Sequence, residues 1–100
     1  MIIYNVTIKL ESEVYEDWIK WMKEVHIPEV METGFFLENE IYQVMVDDED
    51  NGLTFSIQYR CENRKNLDTY FKNHALSLQQ KHKDRYEGKY VAFRTILEKK

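Results

Sequence analysis

Apolar and polar residues alternate along residues 2–10, IIYNVTIKL. Ile2, Tyr4, Val6, Ile8 and Leu10 fall on one side of an extended chain, and Ile3, Asn5, Thr7 and Lys9 on the other. A period of two predicts a strand with one apolar face and one mostly polar face. The period then changes. Val14, Trp18, Trp21, Met22 and Val25 recur at helical spacing. Ser12 is a candidate N-cap, and Glu13, Glu16 and Asp17 fall in the first turns, where the helix dipole favours anions. Pro28 has no N–H and disfavours a helical residue before it, so the regular helix is expected to stop near Ile27. A short second piece over residues 28–32, ended by Gly34, should follow.

Residues 35–46 read as a strand with its β-formers, Ile41, Tyr42, Val44 and Val46, in the second half and a break near Glu38 and Asn39. The run DDEDNG at 47–52 is a turn, and Asn51–Gly52 is a hairpin signal. Over 53–61, Leu53, Phe55, Ile57, Tyr59 and Cys61 share one face, while Thr54, Ser56, Gln58 and Arg60 share the other. Asn63 can cap a second helix with the buried stripe Leu67, Phe71, His74 and Leu78, flanked by Tyr70 and Ala75, fading over residues 85–87 ahead of Gly88. Residues 90–97 close the chain as a fourth strand, in which Val91 and Phe93 alternate with Ala92 and Arg94.

The order β-α-β-β-α-β is the ferredoxin-like pattern: an α+β domain over residues 1–100, with a four-stranded antiparallel sheet and two helices on one face. The apolar strand faces should meet the helices. The other face would carry Asn5, Thr7, Ser56, Gln58, Arg60 and Arg94, too polar for a dry core, with Ile3, Ala92 and Ile96 mixed in. A chain of 100 residues with 43% hydrophobic content can build a core, but it buries a modest share of its surface, so a second layer from a partner would help. The net charge of −4, with both signs interspersed, argues against binding nucleic-acid phosphates. Cys61 is the only cysteine. With no signal-peptide pattern and no run of roughly 18 apolar residues, that points to the cytoplasm and away from membranes.

The opening MIIYNVT, the helix end WIKWMKEVHIP, the ETGFF that follows, the strand running to SIQY and the closing VAFRT resemble a small bacterial family of unknown function, domain family 4286. The resemblance runs over essentially the whole chain. It implies a dimeric α/β barrel, in which two ferredoxin-like chains pack their open sheet faces together, and it brings no assigned activity. The wider superfamily holds small monooxygenases, dehalogenating and decarboxylating enzymes, lactone isomerases, haem-degrading enzymes and ligand-sensing domains. Fold alone does not choose among them.

His26 is the first candidate site residue. It falls on the stripe Tyr15, Ile19, Met22, His26 at the edge of the buried face, and an imidazole can serve as acid or base near neutral pH. The plainer alternative is a histidine at a helix end that interacts with the last carbonyls. The polar sheet face is the second candidate: Asn5, Ser56, Gln58 and Arg60 as ligand contacts, with Arg94 clamping a carboxylate or an enolate. Its alternative is an interchain hydrogen-bond network that seals a dimer.

Other patterns fall away. His74 reads as a packed core histidine, and His82, eight residues on, is about 80° around the helix with no third ligand in view, so neither a metal nor a haem site is expected. The acidic turn opens like a calcium loop, but Gln58 stands where the closing glutamate should be. Tyr4 and Phe55 lie on helix-facing sides, against RNA stacking on the sheet. Trp18 and Trp21 read as core aromatics that fix helix to sheet. No cofactor is implied. The resulting expectation is a homodimer that binds a small organic ligand, anionic ligands included, between the sheet and its partner. The alternatives are a cofactor-independent enzyme, with His26 as acid/base and Arg94 with Asn5 or Gln58 holding negative charge, and a structural or regulatory dimer without a pocket.

Overall fold

The computed structural model describes residues 1–45 and 51–100. Val46 and the acidic run 47–50, read above as a strand end and a turn, lie outside the described residues. Four strands, β1 (Ile2–Glu11), β2 (Glu38–Val44), β3 (Gly52–Cys61) and β4 (Tyr90–Glu98), form one antiparallel sheet in the order β2-β3-β1-β4. The helical segments are α1 (Tyr15–Trp21), α2 (Ile27–Glu32), α3 (Arg64–Tyr70) and α4 (Leu76–Tyr86). Each α1–α2 and α3–α4 pair is joined without a break through a five-residue π turn, Met22–His26 and Phe71–Ala75. The two rods so formed match the two predicted helices.

Alternation in the two central strands is as expected. Ile2, Tyr4, Ile8 and Leu10 of β1 and Phe55, Ile57, Tyr59 and Cys61 of β3 are buried under the helices. Asn63 caps α3, its Oδ1 accepting from the Asn66 amide at 2.9 Å. Ser12 does not act as a cap: residues 12–14 form a 3-10 turn, and no side-chain oxygen caps α1. Gly34, at φ +85°, stops the first rod as predicted, its amide reaching the Met31 carbonyl at 3.1 Å.

Pro28 does not stop the helix. It sits in the first turn of α2, directly after the π turn, and residues 15–32 stay helical throughout. A wide turn opens the carbonyl ladder ahead of the proline, where its ring would otherwise clash with the residue four back. The same turn sets the buried stripe. Trp18, Met22, His26 and Val30 are all buried and are four residues apart. In an ideal α-helix that spacing drifts by about 40° per step; a π turn takes up the drift. The second π turn shifts the later helix in the same way. Its buried positions run Leu67, Tyr70, Ala75, Leu78, His82, Tyr86, so His82 is the core histidine and His74 is only half-buried, against Phe35 and Tyr70.

β4 also corrects the sequence reading. Its register pairs Thr7 with Phe93, Lys9 with Val91, Ile8 with Ala92 and Val6 with Arg94. Paired residues in an antiparallel ladder share a face. Arg94, Ala92 and Ile96 therefore face the helices, and Val91, Phe93 and Leu97 lie on the open face. β4 carries apolar residues on both sides, so alternation alone cannot set its phase.

Candidate functional site

The open sheet face was the expected ligand surface. Its central polar groups, however, satisfy one another within the chain. Gln58 Nε2 donates to Ser56 Oγ at 3.3 Å, Ser56 Oγ to Asn5 Oδ1 at 2.5 Å, and Asn5 Nδ2 to Thr7 Oγ1 at 3.1 Å. Arg60 Nη1 pairs with Glu38 Oε2 at 3.0 Å, while its buried Nε has no partner among the described residues. Arg94 is not part of this set. Asn5, Ser56, Gln58 and Arg60 are together on one face, but the charge meant to anchor a ligand beside them is on the other side of the sheet.

On that other side, a cavity of about 40 Å³ lies between sheet and helices. The side chains that matter to its chemistry are Tyr4, His26, Tyr70, His82, Tyr90 and Arg94. The π turn after α1 delivers His26, and the shifted phase of α4 delivers His82. β1 and β4 deliver Tyr4 and Arg94, and Arg94 Nε donates to the Tyr4 hydroxyl at 3.2 Å. This space holds a few water-sized groups. No residue lining it is an aspartate or glutamate, and Arg94 makes no ion pair among the described residues.

The two imidazoles are 5.8 Å apart between ring centroids, edge to face. His26 is 9% exposed, stacks on Trp21 at 4.9 Å, and its Nδ1 is buried with no partner among the described residues. His82 is 5% exposed, accepts from Trp18 Nε1 at 2.9 Å through its Nε2, and meets the Tyr90 ring edge-on at 4.4 Å. Burial pulls both histidines down to about 4. For His26 the nearby Glu29 opposes the effect and Lys81 adds to it; for His82 both His26 and Arg94 add to it. Both rings are therefore neutral at pH 7. Burial also raises the Tyr59 and Tyr70 hydroxyls well above their usual range, so these phenols stay protonated donors.

His26 does not cap a helix end: the helix runs on past it, and its ring lines the cavity between the helices and the sheet of its own chain. His82 was missed as a site residue, although Ala75, Leu78, His82 and Tyr86 hold a spacing of three and four that a shift in helix phase makes visible. Trp18 tilts onto Phe55 of β3 at 4.9 Å, as expected for a residue that fixes helix to sheet, whereas Trp21 packs helix to helix against Tyr86 and His82.

A wider depression of about 620 Å³ lies at the β1–β4 end, around Lys9, Glu11, Glu13 and Lys89. It is shallow, and Lys89 is paired there with Glu11 at 3.4 Å and Glu13 at 2.8 Å. The smaller, buried cavity has the unpaired groups and is the better candidate. Cys61 is buried, with Sγ 3.3 Å from the Asn63 carbonyl. Among the described residues no three His, Cys, Asp or Glu side chains gather as a metal set, and no helix is long and apolar enough to cross a membrane.

A family profile described as a domain of unknown function, DUF4286, matches residues 1–100. The chain belongs to this family. Solved structures with the same fold include an ethyl tert-butyl ether (EthD) family protein from Bacillus halodurans, 12% identical with a TM-score of 0.70, covering 100% of both chains. A dimeric ferredoxin-like protein from an uncultured marine organism is 11% identical with a TM-score of 0.68, covering 99% of this chain and 94% of that one. A hydroxynitrile lyase from Passiflora edulis is 13% identical with a TM-score of 0.62, covering 99% of this chain and 95% of that one. At such identities the likeness establishes the ferredoxin-like fold and nothing about activity. No curated protein matches the sequence.

Proposed function

We propose that this DUF4286 protein binds a small organic anion in the cavity between its own helices and sheet, and that it does so as a homodimer closed across the open sheet face. One observation carries the binding site. A buried His26 Nδ1 without a partner among the described residues lines a cavity that has no carboxylate, and at its β4 edge the exposed Arg94 donates to Tyr4 but makes no ion pair among the described residues. Buried polar atoms are rarely left unsatisfied, and a guanidinium matches a carboxylate in two hydrogen bonds. Arg94→Ala should weaken binding of acetate by roughly tenfold, the scale of a charged hydrogen bond, and leave folding stability within about 1 kcal/mol. Calorimetric titration beside urea unfolding reads both. Equal affinity in the variant would remove Arg94 from the site.

The dimer reading rests on the open face. Val91 is 67% exposed, Phe93 63% and Leu97 42% on β4, and Tyr42 is 48% exposed on β2. The apolar β4 margin borders a polar strip on which the buried Arg60 Nε has no partner among the described residues, a surface suited to a second copy of itself. The solved neighbour named as dimeric has the same fold. The wild-type protein should scatter light as a dimer at micromolar concentration and Phe93→Asp as a monomer; a monomeric wild type would contradict the dimer. The single, buried, unpaired cysteine suits a cytoplasmic setting.

An enzyme reading has one specific support, namely that His26 is neutral at pH 7 and open to a ligand proton, and the hydroxynitrile lyase gives it a precedent in fold. A base held near pKa 4 provides little driving force for proton abstraction at pH 7, where an effective general base lies closer to the operating pH. Binding therefore stands ahead of catalysis. A bound anion would raise His26, so turnover by the anion-bound state is the form this alternative takes.

A further inference from the structure

We infer that Trp18 fixes His82 as an Nδ1–H donor, so that His82 and His26 together recognise a hydroxyl group, and that the anion the cavity takes is a hydroxycarboxylate. The inference deepens the anion-binding reading and rests on it for the carboxylate half. An indole nitrogen can only donate, so the 2.9 Å contact from Trp18 Nε1 makes His82 Nε2 an acceptor. A neutral imidazole that accepts at Nε2 carries its hydrogen on Nδ1. His82 is therefore a donor with a set tautomer.

His26 supplies the complement, a buried Nδ1 without a partner among the described residues. The two rings line one cavity with centroids 5.8 Å apart. With the His26 hydrogen on Nε2, an oxygen with one hydrogen accepts from His82 Nδ1 and donates to His26 Nδ1. A carboxylate oxygen cannot do both, because it has no hydrogen to give. Arg94, on the same cavity and without an ion pair, is left for the carboxylate. Trp18 touches no ligand in this arrangement; it is a positioning residue that acts through His82.

Nitrogen-15 NMR of the histidine rings, with acetate, glycolate and ethanol as probes, tests both halves. His82 should show the Nδ1–H tautomer in the wild type at pH 7, and Trp18→Phe should release it toward the Nε2–H form. Trp18→Phe removes a fully buried indole and could lower stability, so the wild-type spectrum alone is decisive: an Nε2–H His82 there overturns the inference. Glycolate should bind roughly tenfold more tightly than acetate, the worth of one or two hydrogen bonds. Equal affinities would overturn the hydroxyl assignment while leaving the anion site intact. Ethanol shifting both ring signals while neither acid does would support the hydroxyl assignment and overturn the anion reading. No response to any of the three would overturn the hydroxyl assignment.

Discussion

Replacing Trp18 with alanine is expected to cost about 4–6 kcal/mol and to leave little folded protein at 37 °C. Trp18 is fully buried, packs on Phe55 at 4.9 Å, and gives its only hydrogen bond to His82. Truncating a buried tryptophan costs about 3–5 kcal/mol through lost burial and the cavity that remains. Stranding His82 Nε2 in that cavity adds about 1 kcal/mol or more. A domain of this size has about 5–15 kcal/mol in total, so the loss is a large share of its margin. Urea unfolding of the two proteins reads the difference directly. A midpoint lowered by less than a third would mean that Trp18 is not the tie between the first helical rod and the sheet.

The second large effect is on pH. His26 and His82 both stand at about 4 in the folded chain, against an ordinary value of 6.5. Because the folded pKa is depressed, the unfolded chain binds more protons than the folded one between those values. Stability is therefore full above about pH 6.5 and is lost as pH falls toward 4. A shift of 2.5 units at 1.36 kcal/mol per unit is about 3 kcal/mol for each histidine, and on the order of 5 kcal/mol for the coupled pair. Protonating His82 at Nε2 also ends its bond with Trp18. The carboxylates contribute lower down: Asp17, held below its ordinary value first by the Tyr86 hydroxyl, and Glu13, held down by Lys89, act near and below pH 4.5. Urea unfolding from pH 7.5 to 4.5 should show a two-proton slope. His82→Gln, which keeps an acceptor for Trp18, should remove about half of it. A flat profile across this range would show that the histidines titrate normally.

Much of the fold was legible because β1 and β3 are buried on one face and polar on the other, so a period of two identifies both the strand and its orientation. Asn63 and Gly34 were legible because capping has local chemistry. What sequence could not settle lies where a pattern serves two surfaces or slips phase. β4 is apolar on both sides, since one side lines the cavity and the other carries Val91, Phe93 and Leu97 on the open face, and this sent Arg94 to the wrong face. The π turns were invisible to a 3.6-residue template, which placed His74 in the core instead of His82. Pro28 was read as a stop because a proline normally ends a helix; a widened turn just before it accommodates the ring. His26 was visible as a candidate at the edge of the stripe. The surface it meets was not, because that depends on the phase of a strand nearly seventy residues away.

Where a bound acid makes contact decides the matter most directly. Chemical-shift mapping of labelled protein titrated with glycolate should move signals of Tyr4, His26, His82, Tyr90 and Arg94, on the helix side of the sheet. Shifts confined to Asn5, Ser56, Gln58 and Arg60 would contradict a site between the helices and the sheet, and would return the ligand to the open face.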